Sequence, residues 1–177
     1  LERWGILSSR VMYFEREEDG RFRPASSYPK LSLTTADTHD MATIAGFWTA
    51  RDIELQRMAG LIESDERQRA ALVHREQERR FLVERLVAEG ALKSGDAAAP
   101  SNAELRGAVH RFLCSTPAAL VGVYLEDLVG EREPVNLPGV SFDVYHSWTR
   151  RLSHTLESLP TDPDVALSFP DPVRAGR

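Results

Sequence analysis

Apolar positions follow two rhythms along this chain: short β-branched or aromatic runs, and longer stretches with apolar residues three and four apart. Ser9–Glu15 (S-R-V-M-Y-F-E) is a run of the first kind, closed by the polar turn Glu17–Gly20. Leu31–Thr38 is another, and both read as strands. The dozen residues between them, Asp19–Lys30, carry one Gly and two Pro, the mark of an ordered non-helical loop. Thr43–Leu61 then sets Ile44, Phe47, Trp48, Ile53 and Leu55 on an approximate apolar face, which predicts one helix ended by Gly60. Ser64 caps a long amphipathic helix with a stripe of Ala71, Leu72, Phe81, Leu82, Leu86 and Val87 and a terminating Gly90. Arg67 stands where a full capping box would have Glu.

Residues 94–100, S-G-D-A-A-A-P, read as a small-residue linker. Ser101 or Asn102 caps a further helix through about Cys114, with Leu105, Val109, Phe112 and Leu113 on one side. Ala118–Leu125 is a near-continuous apolar run, as expected of a parallel strand covered on both faces. After the loop 131–139 a last helix is expected over Tyr145–Leu159, carrying Trp148, Leu152, Leu156 and Leu159. Pro160, Pro163, Pro170 and Pro172 mark residues 160–177 as a frayed, flexible tail behind a unit spanning 1–159. Strands separated by long connections give an α/β chain whose neighbouring strands are parallel, joined by right-handed crossovers.

Composition narrows the function classes. The chain has 177 residues, 42% hydrophobic and 28% charged, which suits about one globular domain. A net charge of −5 and a pI near 5.6 argue against a nucleic-acid surface, which needs uncompensated Lys and Arg. Between Glu63 and Lys93 seven acids face seven Lys or Arg residues, the balance of a solvated helix face. No apolar run is long enough for a membrane span, and no signal-peptide layout opens the chain, so a cytoplasmic protein is expected. Cys114, the only cysteine, forbids an internal disulfide and is expected to be a small buried residue. His74, His110, His146 and His154 lack metal-ligand spacing and read as surface or helix-end residues, so no metal or other cofactor is expected. The start at Leu1 rather than Met, within what reads as a helix end, suggests a truncated product.

The densest chemistry lies at His39-Asp40, where the second strand stops and a helix begins. In a parallel β/α protein the C-terminal tip of a strand is where side chains meet a ligand. By itself an H-D dipeptide is most simply a helix cap by Asp40. As ligands of a metal-dependent phosphohydrolase the pair would need an upstream His, and His39 is the first in the chain.

Three segments together point further. Thr35–Trp48 reads T-A-D-T-H-D-M-A-T-I-A-G-F-W and resembles the seventh-strand signature of the 4-α-glucanotransferases, the amylomaltase or disproportionating-enzyme family. Met41 and Ala42 stand where that family's pattern has Leu and Pro. Residues 125–139, L-E-D-L-V-G-E-R-E-P-V-N-L-P-G, are similar to its eighth-strand segment and N-x-P-G loop, and Gly5–Glu15 is similar to its sixth-strand entry. The likeness implies the last three βα units, about, of a TIM-type (β/α)8 barrel with long helical insertions. It also implies retaining transfer of α-1,4-glucan segments between maltooligosaccharides, with no cofactor.

In such chemistry one carboxylate attacks the anomeric carbon, a second acid protonates the leaving oxygen, and the transition state is oxocarbenium-like. The resemblance makes Asp40 the transition-state stabiliser and makes His39, Asn136 and Pro138 substrate-binding. The nucleophile and acid/base are expected outside this chain, which alone should not transfer sugar. Glu126-Asp127 mimics the family's acid/base motif but falls after the His-Asp strand. Both residues are therefore read as strand-end carboxylates that orient the next loop. The competing reading is a non-catalytic carbohydrate-binding or interaction fragment, with Phe47, Trp48, Tyr124 or Trp148 stacking on sugar faces.

Overall fold

The computed structural model describes residues 2–93 and 100–168. Three short parallel strands form one sheet in sequence order: β1 (Ser8–Val11), β2 (Ser32–Thr35) and β3 (Leu120–Val121). Ser8 pairs with Ser32 and Val11 with Thr35, while Leu33 pairs with Leu120. β2 is central, and Ser32 and Thr34 are fully buried.

Each strand is shorter than the sequence pattern predicts. After Val11 the chain tightens into a 3-10 turn, Met12–Phe14, that drives Met12 into the core. The apolar run 118–125 pairs over two residues only, and Leu125 already begins a helix. Leu120 is 53% exposed, so this strand is not covered on both faces.

The helices are α1 (Ile44–Thr49), α2 (Arg51–Met58), α3 (Asp65–Ala88), α4 (Asn102–Ser115), α5 (Leu125–Val129) and α6 (Pro163–Ser168). The single helix expected over 43–61 is broken at Ala50, whose φ is 60°. Nine residues separate Ile44 from Ile53, about half a turn out of phase in a straight helix. The break lets both face the core, where they are 1% and 4% exposed.

Side-chain caps fix the helix starts. Thr43 Oγ1 accepts from Gly46 N, Ser64 Oγ from Arg67 N, and Ser101 makes a full capping box with Glu104. α3 buries only Arg75, Leu82 and Leu86, and Leu72 of the expected stripe is 40% exposed. It is a charged strut with its buried polar anchor at Arg75. There Arg75 makes a two-pronged pair with buried Asp52 at 2.7 and 2.8 Å, donates to Phe47 O at 2.9 Å, and lies 4.2 Å from the Phe47 ring centroid.

α4 is the most deeply buried element, and with Phe22, Tyr28, Leu82 and Leu86 its Leu105, Val109, Phe112 and Leu113 form the core. Cys114 is buried, as expected. His110, read as a surface or helix-end residue, is instead fully buried. Its Nδ1 donates to Ser168 O at 2.5 Å, since a carbonyl can only accept. Burial pushes its pKa down to about 4, so the ring is neutral near pH 7.

That contact corrects two expectations. Residues 163–168, placed in a frayed tail, form α6 and pack on α4, with Ser168 Oγ accepting from Arg106 Nε at 3.1 Å. Residues 169–177 of that tail and 94–99 of the linker lie outside the described residues. The helix expected over Tyr145–Leu159 does not form. Trp148 and Leu156 are 63% and 70% exposed, while Leu152 and Leu159 are only partly buried, so the expected apolar face is not covered as one stripe. Local hydroxyl bonds compete with helical ones: Thr149 Oγ1 donates to His146 O, Ser158 Oγ to Thr155 O, and Trp148 sits at φ 66°. No described helix is long and apolar enough to cross a membrane.

Asp52→Ala removes one half of a buried pair and leaves Arg75 with Glu78 at 3.2 Å as its remaining anion. Urea unfolding is expected to register a loss of about 3 kcal/mol, whereas the Asp52→Leu/Arg75→Met double variant recovers most of it.

Candidate active site

The site is built where the chain leaves β2. Thr35 Oγ1 donates to Asp37 O at 2.7 Å, which bends the chain away from the sheet. Met41 N then donates to Thr38 O, and Asp40 N to Thr38 Oγ1 at 3.3 Å. This turn lifts His39 and Asp40 to the surface at the C-terminal tip of a parallel strand, their side chains about half exposed.

A second segment, after β3, closes on that tip. Asn136 N donates to His39 O at 3.2 Å, and Asn136 Nδ2 donates to Asp40 Oδ1 at 2.6 Å. His39 Nε2 lies 3.3 Å from the same Oδ1. The other carboxylate oxygen, Oδ2, has no hydrogen-bond partner among the described residues, and the side chain is 48% exposed. The His39 ring packs at 5.1 Å against Trp148, which is 63% exposed, has a left-handed backbone at φ 66° and donates from its N to Val135 O. Such a backbone in a non-glycine residue costs on the order of 1–3 kcal/mol.

Of the four residues expected to form the site, the structure therefore joins His39, Asp40 and Asn136. Pro138 lies in an exposed turn with Gly139, outside the bonds that join the other three. Phe47 is buried against Tyr13 and Trp48 is half-buried beside Arg79, so neither offers an open ring face. Among the described residues no three His, Cys, Asp or Glu side chains gather as a metal site requires.

Below the surface lies a feature that sequence reasoning missed. Asp37 and Asp127 are 3% and 1% exposed and hydrogen-bonded to each other. Two carboxylates in contact must share a proton for one to donate. Burial, then the charge of Asp127, raises the Asp37 pKa well above the carboxylate range, and burial pushes Asp127 up to about 7. Asp127 Oδ1 also accepts from Ile44 N at 2.7 Å, at the first turn of α1. Asp127 is thus not a strand-end group orienting the next loop. It sits in α5 and anchors the helix that follows the His-Asp turn. Thr43 Oγ1, donating to Glu131 O at 2.5 Å, is a second tie between the same segments.

The sequence model of the 4-alpha-glucanotransferases matches residues 1–157 of this chain. The chain belongs to the 4-alpha-glucanotransferase family. It is 29% identical over 160 residues to the 4-alpha-glucanotransferase of Haemophilus influenzae, a match covering 88% of this chain and 22% of that protein. It is 30% identical over 148 residues to the enzyme of that name from Mycobacterium bovis, covering 81% and 20%. Amylomaltase from Corynebacterium glutamicum matches in structure with a TM-score of 0.86 at 28% identity, over 97% of this chain and 26% of that one. The chain therefore spans about a fifth of the length of the curated 4-alpha-glucanotransferases it matches. The α/β architecture with its parallel sheet belongs to the amylomaltase fold.

The buried acid pair has a pH signature. Asp127 has its folded pKa raised from 3.8 to about 7, so its contribution to stability is complete below the unfolded value and is lost as pH rises through the folded one. Glu126, Tyr13, Tyr124 and Arg106 are the other ionisable groups acting on the pair. Asp127→Asn keeps the acceptor for Ile44 N and removes the titration. Relative to wild type, its unfolding free energy is expected to improve steadily from pH 4 to pH 7; a constant difference over that range contradicts the shared proton.

Proposed function

We propose that this chain supplies the transition-state-stabilising part of a retaining 4-alpha-glucanotransferase, one that moves α-1,4-glucan segments between maltooligosaccharides. In this reading β1 to β3 are about the last three strands of a (β/α)8 barrel, and the helical stretch from α1 to α4 is a long insertion within it. The observation that carries the reading is the hydrogen bond from Asn136 Nδ2 to Asp40 Oδ1. It ties the turn after β2 to the segment after β3 and leaves Oδ2 open to a ligand at the strand tips, where parallel β/α enzymes bind.

The chemistry follows from one negative charge held in place. Hydroxyls on the sugar undergoing transfer become more acidic, and stronger donors, as positive charge develops at the anomeric carbon. A fixed carboxylate therefore binds the transition state more tightly than the ground state, which raises turnover. His39, braced between Trp148 and Asp40, directs its ring toward the same sugar. One carboxylate cannot both attack carbon and protonate the leaving oxygen. The nucleophile and the general acid are assigned to the remaining length of the enzyme.

Two outcomes test this. Asp40→Asn in the full-length protein keeps the acceptor oxygen for Asn136 but loses the charge, and turnover of maltotriose is expected to fall by about 10²-fold or more. Near-normal turnover contradicts the role. The 177 residues alone, incubated with maltotriose, are expected to release no glucose and build no longer chains; product formation contradicts the division of labour.

A further inference from the structure

The buried acid pair is tied to the site from both ends. Asp37 stands two residues before His39 and three before Asp40, in the turn that leaves β2, and Thr35 Oγ1 donates to its carbonyl at 2.7 Å. Asp127 stands on the facing segment, where its Oδ1 accepts from Ile44 N at 2.7 Å and so fixes the start of α1, four residues after Asp40. Contact between the two carboxylates therefore joins the first part of the turn to the helix that follows it. Asp37 also lines the hollow that contains His39 and Tyr124, which gives the pair an opening for proton exchange.

That contact holds only while a proton is shared, because two carboxylates without one have no donor and repel each other strongly away from water. The surrounding charges do not relieve the repulsion. Glu126, beside Asp127 in α5, pushes both acids toward the protonated form, while Arg106 of α4 acts in the opposite sense on Asp127 and commits its Nε to Ser168 Oγ. Tyr13, from the turn after β1, and Tyr124, before α5, have their own pKa values raised by burial and then by Asp37, so both are neutral hydroxyls near pH 7. Asp127 is held by Ile44 N, so a separation of the pair falls on the turn that carries Asp37.

We infer that Asp37 and Asp127 are positioning residues for glucan transfer: the proton they share holds the turn that aims the Asp40 carboxylate, and its loss releases that turn. This rests on the transferase reading above. The pair makes and breaks no bond to carbon; one proton leaves it for solvent through the hollow as pH rises. Asp40 binds the transition state more tightly than the ground state, so a displaced Asp40 lowers kcat with little change in KM.

The test follows kcat and KM for maltotriose from pH 6 to pH 9 in the full-length wild type, Asp127→Asn and Asp37→Asn. In either variant an amide Nδ2 donates to the remaining carboxylate, so the link stays while the shared proton is gone. The alkaline limb of the general acid is common to all three proteins and cancels when a variant is divided by wild type. That ratio in kcat is expected to rise about tenfold from pH 6 to pH 9, with the ratio in KM constant to within about threefold. In an Asp40→Asn background the same kcat ratio is expected to stay within about twofold across the range. A kcat ratio that stays flat while Asp40 is present, the mark of a merely structural pair, overturns the positioning role and leaves transfer activity standing. A rise that persists without the Asp40 charge overturns it too. So does a wild-type kcat that stays constant to pH 9, whether or not the variants fold. A wild type that transfers nothing at any pH overturns the transferase reading and this inference together.

Discussion

The carboxylate of Asp127, buried against the first turn of α1, is the constraint on which the rest of the site depends. A strand tip carrying His and Asp is only a loop until something fixes it, and here the fixing comes from the segment after β3. Asp127 accepts from Ile44 N, Glu131 O accepts from Thr43, and Asn136 bonds both His39 and Asp40. These ties run in order along the two segments, so the turn after β2 and the stretch 127–136 form one unit. A buried carboxylate is costly. Its neighbour Asp37 lowers that cost by donating a shared proton, and Asp37 stands two residues before His39 in the same turn.

The remainder of the molecule serves this junction at two removes. α1 is short, and the break at Ala50 allows α2 to turn Asp52 toward Arg75, which clamps α3 against Phe47. Tyr13, from the turn after β1, stacks on the same Phe47 ring at 4.9 Å. The helix behind the site is thus gripped from the sheet side and from the long charged helix. On the outer side Trp148 leans on His39 from an irregular segment, and that irregularity is what leaves its ring open.

The features legible in the sequence were those with local causes. Ser64 and Ser101 announce helix starts because a hydroxyl acts on a backbone N–H three residues away. The His-Asp tip was legible because a β-prone run stops there and a helix follows. Asn136 was found through a motif likeness, and its bond to Asp40 spans 96 positions in sequence. The remainder depended on tertiary contacts. Nothing local marks Asp37 as buried, and its partner Asp127 stands in an acidic pair that looks like a surface feature. The break at Ala50 answers to two apolar residues on opposite sides of a straight helix. The spacing of Trp148 to Leu152 and Leu156 is helical, but Trp148 and Leu156 stay exposed and no continuous apolar face is covered. His110 sits in an ordinary helical sequence, and only the docking of α6 buries it.

A double-mutant cycle on kcat/KM for maltotriose, pairing Asn136→Ala with Asp40→Asn in the full-length protein, probes the central link most directly. If Asn136 acts by holding the Asp40 carboxylate, its loss costs about tenfold in the wild-type background and almost nothing once Asp40 is neutral. Equal losses in both backgrounds would contradict that link and make Asn136 and Asp40 independent contributors.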